Sequence, residues 1–328
     1  MRVLVTGSAG HLGEALLRTL PLTGHEVIGT DILASPFTDR VGSVADRQHV
    51  RNCMRGIDVV LHTATLHKPH IVTHSKQDFV DTNMSGTLNL LEEAVAAGVR
   101  AFVFTSTTST FGDAMKPEAG GPAVWVTEDL VPIPKNIYGV TKLAAENLCQ
   151  LFYRQHQLPC LILRTSRFFP EADDNRSIRE AYADDNAKAN EFLYRRVDVE
   201  DVVNAHLLAM EKAADIGFGR YIISATTPFA QTDLAQLRAD APAVVNKYLP
   251  NYRQTYEQLG WQMFPTIDRV YVNNKARTDL GWRPKHDFVD VLSRLNQGGR
   301  LLSQLAYSIG QKGYHQETFE DGPYPVDG

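Results

Sequence analysis

The 328 residues, 43% of them hydrophobic and 22% charged, suffice for a full core in one large domain or two smaller ones. A formal charge of −5 without a long basic or acidic run argues against a nucleic-acid footprint, which needs clustered Lys and Arg. Sustained apolar runs, such as residues 59–61 and 161–163, are strand-sized and too short to span a bilayer.

Over the first two thirds of the chain, short aliphatic runs alternate with helical spacing. Residues 3–5 read as a buried strand, 13–20 as a helix, and 27–31 and 58–63 as two further strands. Leu88, Leu91 and Val95 predict a helix over 82–97, with Gly98 as its C-cap. A strand over 101–106 follows, then a helix over 138–156 with Val140, Ala144, Leu148 and Leu151 on one side, then a strand over 161–164. Strands that are continuously aliphatic and separated by helices predict an α/β fold, a doubly wound parallel sheet covered on both faces. Beyond Phe169 the chain is polar and acidic to residue 190, before a strand-edge and helix pattern over 197–213 and a short strand over 220–224. After Thr226, Pro, Asn and Tyr become frequent, which reads as a smaller capping region. Cys53, Cys149 and Cys160 are too widely spaced for a disulfide framework or a zinc site. They read as reduced thiols, so no metal is expected. With no signal-like segment at the N-terminus, a cytoplasmic location is the expectation.

The first strand runs into Thr6-Gly7-Ser8-Ala9-Gly10-His11-Leu12-Gly13. Three glycines at this spacing, between a strand and a helix, suit a tight turn at Gly7, close approach of backbone to a pyrophosphate at Gly10, and close helix–strand packing at Gly13. The phosphates then rest on the helix N-terminus, where unpaired N–H groups point outward. Ala9, His11 and Leu12 belong to the same loop. Asp31 ends the next strand, where it either accepts both hydroxyls of an adenosine ribose and repels a 2′-phosphate, or caps the strand. No Arg follows at once, Arg40 being a late contact at best, so NAD is favoured over NADP.

Further along stand Leu61-His62-Thr63-Ala64-Thr65, Asn83-Met84-Ser85-Gly86-Thr87-Leu88-Asn89-Leu90-Leu91, Thr105-Ser106-Thr107-Thr108-Ser109-Thr110-Phe111-Gly112, Tyr138-Gly139-Val140-Thr141-Lys142 and Leu280-Gly281-Trp282-Arg283-Pro284. In this order, across almost the whole chain, they resemble the extended short-chain dehydrogenase/reductase group, the NAD-dependent epimerase/dehydratase family. The resemblance implies a Rossmann-type domain from 1–170 and 195–225 and a substrate-binding region from 171–194 and 226–312. It leaves a tail over 313–328, either disordered or an arm packed on a neighbour. It implies adenine contacts at Ser43 and Val44, and backbone beside the pyrophosphate and ribose from Leu61 and His62 to Thr63 and Ala64. His62 itself reads as a packed strand residue. Thr105 and Ser106 are expected to stabilise their turn and contact the cofactor. The resemblance also implies a homodimer, formed by the helices over 83–97 and 138–156.

The catalytic expectation rests on Thr107, Tyr138 and Lys142. Tyr138 and Lys142, four apart on a helix, share one face. A nearby ammonium and the positive nicotinamide would both favour a phenolate whose unperturbed pKa is about 10. Tyr138 then exchanges the hydroxyl proton of a secondary alcohol while hydride passes to NAD, Lys142 anchors the nicotinamide ribose, and Thr107 bonds the reacting oxygen. The family's 4,6-dehydratases carry Asp-Glu where this chain has Thr108 and Ser109, so dehydration is disfavoured. Arg167 stands where nucleotide-sugar epimerases of the family carry Asn. It either pairs with a substrate carboxylate, as in the uronate dehydrogenase branch that the Phe-Pro-Glu turn resembles, or is satisfied by Asp173, Asp174 or Asp198. Thr108, His67 and Lys68, Arg195 and Arg196, and Arg283 (the family's diphosphate position) complete the expected substrate contacts; His67 reads equally well as a surface loop residue. The leading expectation is a nucleotide-sugar epimerase-like enzyme. The alternatives are a net NAD-dependent dehydrogenase of a free sugar or sugar acid, and a non-catalytic NAD-sensing protein.

Overall fold

The structure, a computed structural model, describes residues 1–313 and Phe319. The expected tail therefore lies outside the described residues except for Gly313 and Phe319. Nine strands occur among the described residues: β1 (Arg2–Thr6), β2 (Glu26–Asp31), β3 (Arg40–Val41), β4 (Val59–His62), β5 (Ala101–Thr107), β6 (Val124–Val126), β7 (Cys160–Thr165), β8 (Phe218–Ile223) and β9 (Arg269–Tyr271). Seven build one sheet in the order β3-β2-β1-β4-β5-β7-β8, every pairing parallel. The strand order reverses between β1 and β4, which opens a crevice at their carboxyl ends.

Alternation along the strands sets the layers. Val3, Val5, Val59, Leu61, Val103, Leu161 and Leu163 face the helices His11–Thr19 and Val199–Ile216. Leu4, Val60, Phe102, Phe104 and Ile162 face Arg47–Cys53, Gly86–Ala97 and Ile137–His156. The first of these cores does not stop at the sheet. It continues through Leu237, Val244, Tyr256, Trp282 and Phe288, so the C-terminal region is packed onto the same apolar interior. There β6 and β9 form a separate parallel pair.

Several boundaries differ from the sequence reading. The first helix begins at His11 with Gly10 as its N-cap, and ends at Thr19 before a 3-10 turn over Leu20–Thr23 that has Pro21 in its first turn. The helix expected from residue 82 is regular only from Gly86, after a π turn over Val80–Ser85. Asn83 explains the widening: its amide clamps Leu66 and Thr141, while its carbonyl accepts the Thr87 hydroxyl at 2.7 Å. Gly98 does close that helix, at φ +71°. The polar stretch beyond Phe169 holds two short helices, Arg176–Ala181 and Asp184–Glu191, and buries Glu171, Asp173 and Glu191.

Trp282 is fully buried, and its Nε1–H donates to the Asp201 carbonyl at 3.0 Å. The Asp201 carboxylate accepts the backbone N–H groups of Lys285 and His286. The Leu-Gly-Trp segment is thus a clasp on the Val199–Ile216 helix.

Candidate active site

The crevice at the sheet's carboxyl edge widens into a cleft of about 1230 Å³. That exceeds the roughly 300–1,000 Å³ of a pocket for one small molecule, and leaves room for a dinucleotide and a second ligand.

At one end lie Gly7, Ala9, Gly10, His11, Leu12 and Gly13. Gly7 has φ +73°, and a Cβ at Gly13 would stand 1.9 Å from the Gly7 carbonyl oxygen, so the turn and the first helical turn admit no side chain there. The loop is tied to its neighbours. Thr6 Oγ1 accepts the N–H groups of Thr63 and Ala64 at 3.2 and 3.1 Å, and Asp31 accepts from Ala9 N at 3.0 Å and Leu33 N at 2.9 Å. Asp31 therefore caps its strand and lines the cleft as well. Ser43, Val44, Thr63 and Ala64 line the same end, whereas Arg40 is turned onto the Asn52 carbonyl. Leu61 and His62 do not line the cleft. Leu61 belongs to the core, and His62 is held between the hydroxyls of Thr6 and Thr87 at 2.8 and 3.0 Å, where burial keeps its imidazole neutral. His11 lines the cleft, and its Nε2 lies 2.7 Å from Glu171 Oε1.

At the centre, Thr105, Ser106, Thr107, Thr108, Ser109 and Tyr138 line the cleft. Asn136 caps the Ile137–His156 helix through Gly139 N, which points Tyr138 from its first turn toward the end of β5. Thr107, beside the Tyr138 phenol, acts to lower the phenol's pKa, but burial outweighs this and pushes it up to about 12. Burial also lowers the Lys142 ammonium to about 7, against the pull of Glu146 and Cys149. Lys142 Nζ donates to the Thr105 carbonyl at 2.7 Å and lies 3.9 Å from the centre of the Phe104 ring. By themselves these protein groups favour the neutral phenol, because Lys142 donates to the β5 backbone and burial drives both groups toward neutrality, so the expected phenolate depends on the positive nicotinamide.

The neighbouring hydroxyls divide cleanly. Thr105 Oγ1 is bonded to His206 Nε2 at 2.7 Å, and burial holds that imidazole down to about 4. Ser106 donates to Glu146 at 2.6 Å, and Glu146 is gripped by Arg164 at 2.7 Å, which locks β5, β7 and the Tyr138 helix together. Thr107 is left as the hydroxyl that meets Tyr138.

At the far end, His67, Lys68, Arg167, Phe169, Asp174 and Arg195 line the cleft. The His67 ring centroid is 6.0 Å from that of Tyr138 and 5.5 Å from that of Phe169, which sets it in the site rather than on a surface loop. Arg167 pairs with Asp173 and Asp174 at 2.9 and 3.3 Å and donates to the Ala172 carbonyl. Of the expected internal partners only Asp198 is elsewhere, capping the Val199–Ile216 helix and accepting from Ser303. Arg195 pairs with Glu191 at 2.6 Å, and buried Arg196 with the same carboxylate at 2.7 Å. Burial would raise Glu191, but Arg195, Arg196 and Arg167 hold it well below the usual carboxylate range.

Arg283 departs from expectation. It is exposed, absent from the cleft lining, and bonded to the carbonyls of Arg277 and Trp282, because Trp282 beside it is committed to the core. The sequence reading also missed Arg269 and Tyr271 on β9, and Lys312, all in the lining. These sit in weakly periodic sequence without a motif. Three or more His, Cys, Asp or Glu side chains arranged to hold a metal do not occur among the described residues.

The residues of the glycine end fit a dinucleotide: a side-chain-free turn, a helix N-terminus, an acid at the end of β2, and Ser43 and Val44 beyond it. Comparison with known proteins agrees. A UDP-glucose 4-epimerase of Streptomyces lividans is 28% identical over 246 residues, covering 64% of this chain and 72% of that protein. A 3-beta-hydroxysteroid dehydrogenase of Mycolicibacterium neoaurum is 27% identical over 331 residues, with 86% and 87% covered. A short-chain dehydrogenase/reductase superfamily protein of Agrobacterium tumefaciens, solved with bound NAD, has the same fold: TM-score 0.64, 23% identity, 90% of this chain and 96% of that one. The sequence model of the NAD dependent epimerase/dehydratase family matches residues 3–223. The chain belongs to that family, and NAD is its cofactor.

Proposed function

We propose that the protein transfers a hydride and a proton at a secondary alcohol of a sugar or sugar nucleotide, as a nucleotide-sugar epimerase-like enzyme. The observation that carries the reading is Thr107 and Tyr138 together in the cleft lining at the end of β5, with Lys142 fixed one turn further along the helix. NAD, when bound, supplies the hydride acceptor and a positive ring. Tyr138 takes the proton of the alcohol, Thr107 orients the reacting oxygen, and Lys142 orders the β5 end and the ribose. Thr108 and Ser109 supply no acid–base pair for elimination, so dehydration is disfavoured. The UDP-glucose 4-epimerase relative supports the sugar-nucleotide reading.

A second reading, net dehydrogenation of a free sugar or sugar acid, draws on Arg283. That residue would serve a diphosphate, and it lies outside the cleft. The hydroxysteroid dehydrogenase relative supports net dehydrogenation but not a sugar as its substrate. A panel of UDP-sugars and free sugar acids separates the two. Epimerisation of a UDP-sugar without net NADH at 340 nm supports the first, and stoichiometric NADH from a free sugar acid replaces it with the second. The third alternative, a non-catalytic NAD sensor, is supported instead if Tyr138→Phe leaves all cellular function intact. We place it in the cytoplasm, on its three buried free thiols and on the absence, among the described residues, of a helix long and apolar enough to cross a membrane. We also assign it a homodimer through the Gly86–Ala97 and Ile137–His156 helices, the second of which exposes Val140 and Leu151; light scattering on the eluted protein tests this.

A further inference from the structure

The last described helix, Gln304–Ile309, returns the chain to the dinucleotide end of the cleft, where Lys312 and Gly313 join the lining. Lys312 lies against the first turn of the His11–Thr19 helix. Its ammonium pairs with Glu14, and its backbone N–H donates to Glu171 Oε1 at 3.0 Å. One residue earlier, the Gln311 side chain donates to the Pro170 carbonyl at 3.3 Å. A segment far along the sequence is thus fastened to the glycine-loop helix and to the turn after β7 together.

The two carboxylates it meets are unusual in their place. Glu14 and Glu171 have side chains only 8% and 5% exposed, and Glu14 N–H donates to the carbonyl of Gly10, in the loop that approaches the pyrophosphate. A carboxylate in a first helical turn favours the helix, but it also opposes a second anion at the same N-terminus. Burial weakens the screening that would hide this repulsion. The cations at Glu14 are Arg18, at 2.7 Å, and Lys312, while the His11 ring meets Glu171. Arg18 and His11 are both part of the helix itself. Lys312 alone among these three comes from the C-terminal segment.

We infer that Lys312 is a positioning residue for the dinucleotide: by neutralising Glu14 and holding Glu171, it lets a diphosphate settle on the helix that follows the glycine loop. The inference concerns the cofactor alone and stands whichever sugar is the substrate.

Calorimetric titration of NAD into the full-length protein, freed of bound nucleotide, tests it. Lys312→Ala raises the Kd for NAD by about tenfold or more, because an unneutralised carboxylate at a partly buried helix N-terminus repels the diphosphate. Lys312→Arg stays close to wild type. Adding Glu14→Gln to Lys312→Ala recovers most of the loss, because the unpaired carboxylate is gone. Unchanged NAD affinity in Lys312→Ala overturns the inference, and so does a double variant as weak as the single one. Should Lys312→Ala fold poorly, Glu14→Gln alone decides: NAD binding at least as tight as wild type supports the inference, and weaker binding overturns it.

Discussion

The two ends of the cleft are made of different material. The dinucleotide end is backbone: a glycine turn at φ +73°, a helix N-terminus, and strand ends knitted by Thr6 and Asp31. The far end, where we propose the substrate binds, is charge: Arg167, Arg195 and Arg196 set against Asp173, Asp174 and Glu191. A site of backbone donors is fixed once the fold forms and serves one ligand in many proteins. A site of mutually satisfied side chains keeps its shape only while every partner stays, and its specificity is rewritten by exchanging a few of them.

This contrast is sharpest at the boundary between the ends. Tyr138→Phe removes the proton carrier and leaves both ends standing, so turnover falls by about 10²–10⁴-fold while the Kd for NAD is unchanged. Steady-state rates beside an NAD titration check it. Glu191→Gln strikes the charged end alone. It leaves Arg195 and Arg196 without their shared buried carboxylate, at a cost of about 3–5 kcal/mol in denaturant unfolding.

A pH effect comes next. Burial lowers Lys142 to about 7 in the fold from 10.5 in the unfolded chain. Between those values the unfolded chain holds a proton that the folded one lacks, so stability rises with pH, by at most about 1.4 kcal/mol per unit from this group. Lys142→Met flattens that slope in the NAD-free protein, as unfolding curves at pH 7 to 10 will show. The smallest effect belongs to Arg283→Ala, which changes KM by less than about twofold because the side chain is exposed outside the cleft.

The same division explains what was legible in the sequence. The β1 loop and Asp31 are read from short spacings, because backbone geometry demands particular residues at fixed offsets, whereas Thr107, Tyr138 and Lys142 are singled out together by the family resemblance. Strand and helix order followed from periodicity, since the central strands of the sheet are buried on both faces. The failures are of another kind. Arg283 is adjacent in sequence to a side chain that packs inward, and adjacency does not carry direction. The two short helices beyond Phe169 show no apolar stripe, although the pairing of Arg167 with Asp173 and Asp174 in that segment is one of the readings the sequence offers. The protonation of Tyr138 depends on how deeply it is buried, and Lys312 meets Glu14 across 298 residues, which no local pattern records.

The interior that runs unbroken from Val3 to Ala306 has a thermodynamic consequence. A cooperative unit melts as a whole, so a molecule bound at either end of the cleft protects both by mass action. At a hundred times its Kd, a ligand adds about 2.7 kcal/mol to the unfolding free energy of the entire chain. A thermal-shift series with NAD already present then reports any sugar that binds, including one the enzyme is slow to turn over.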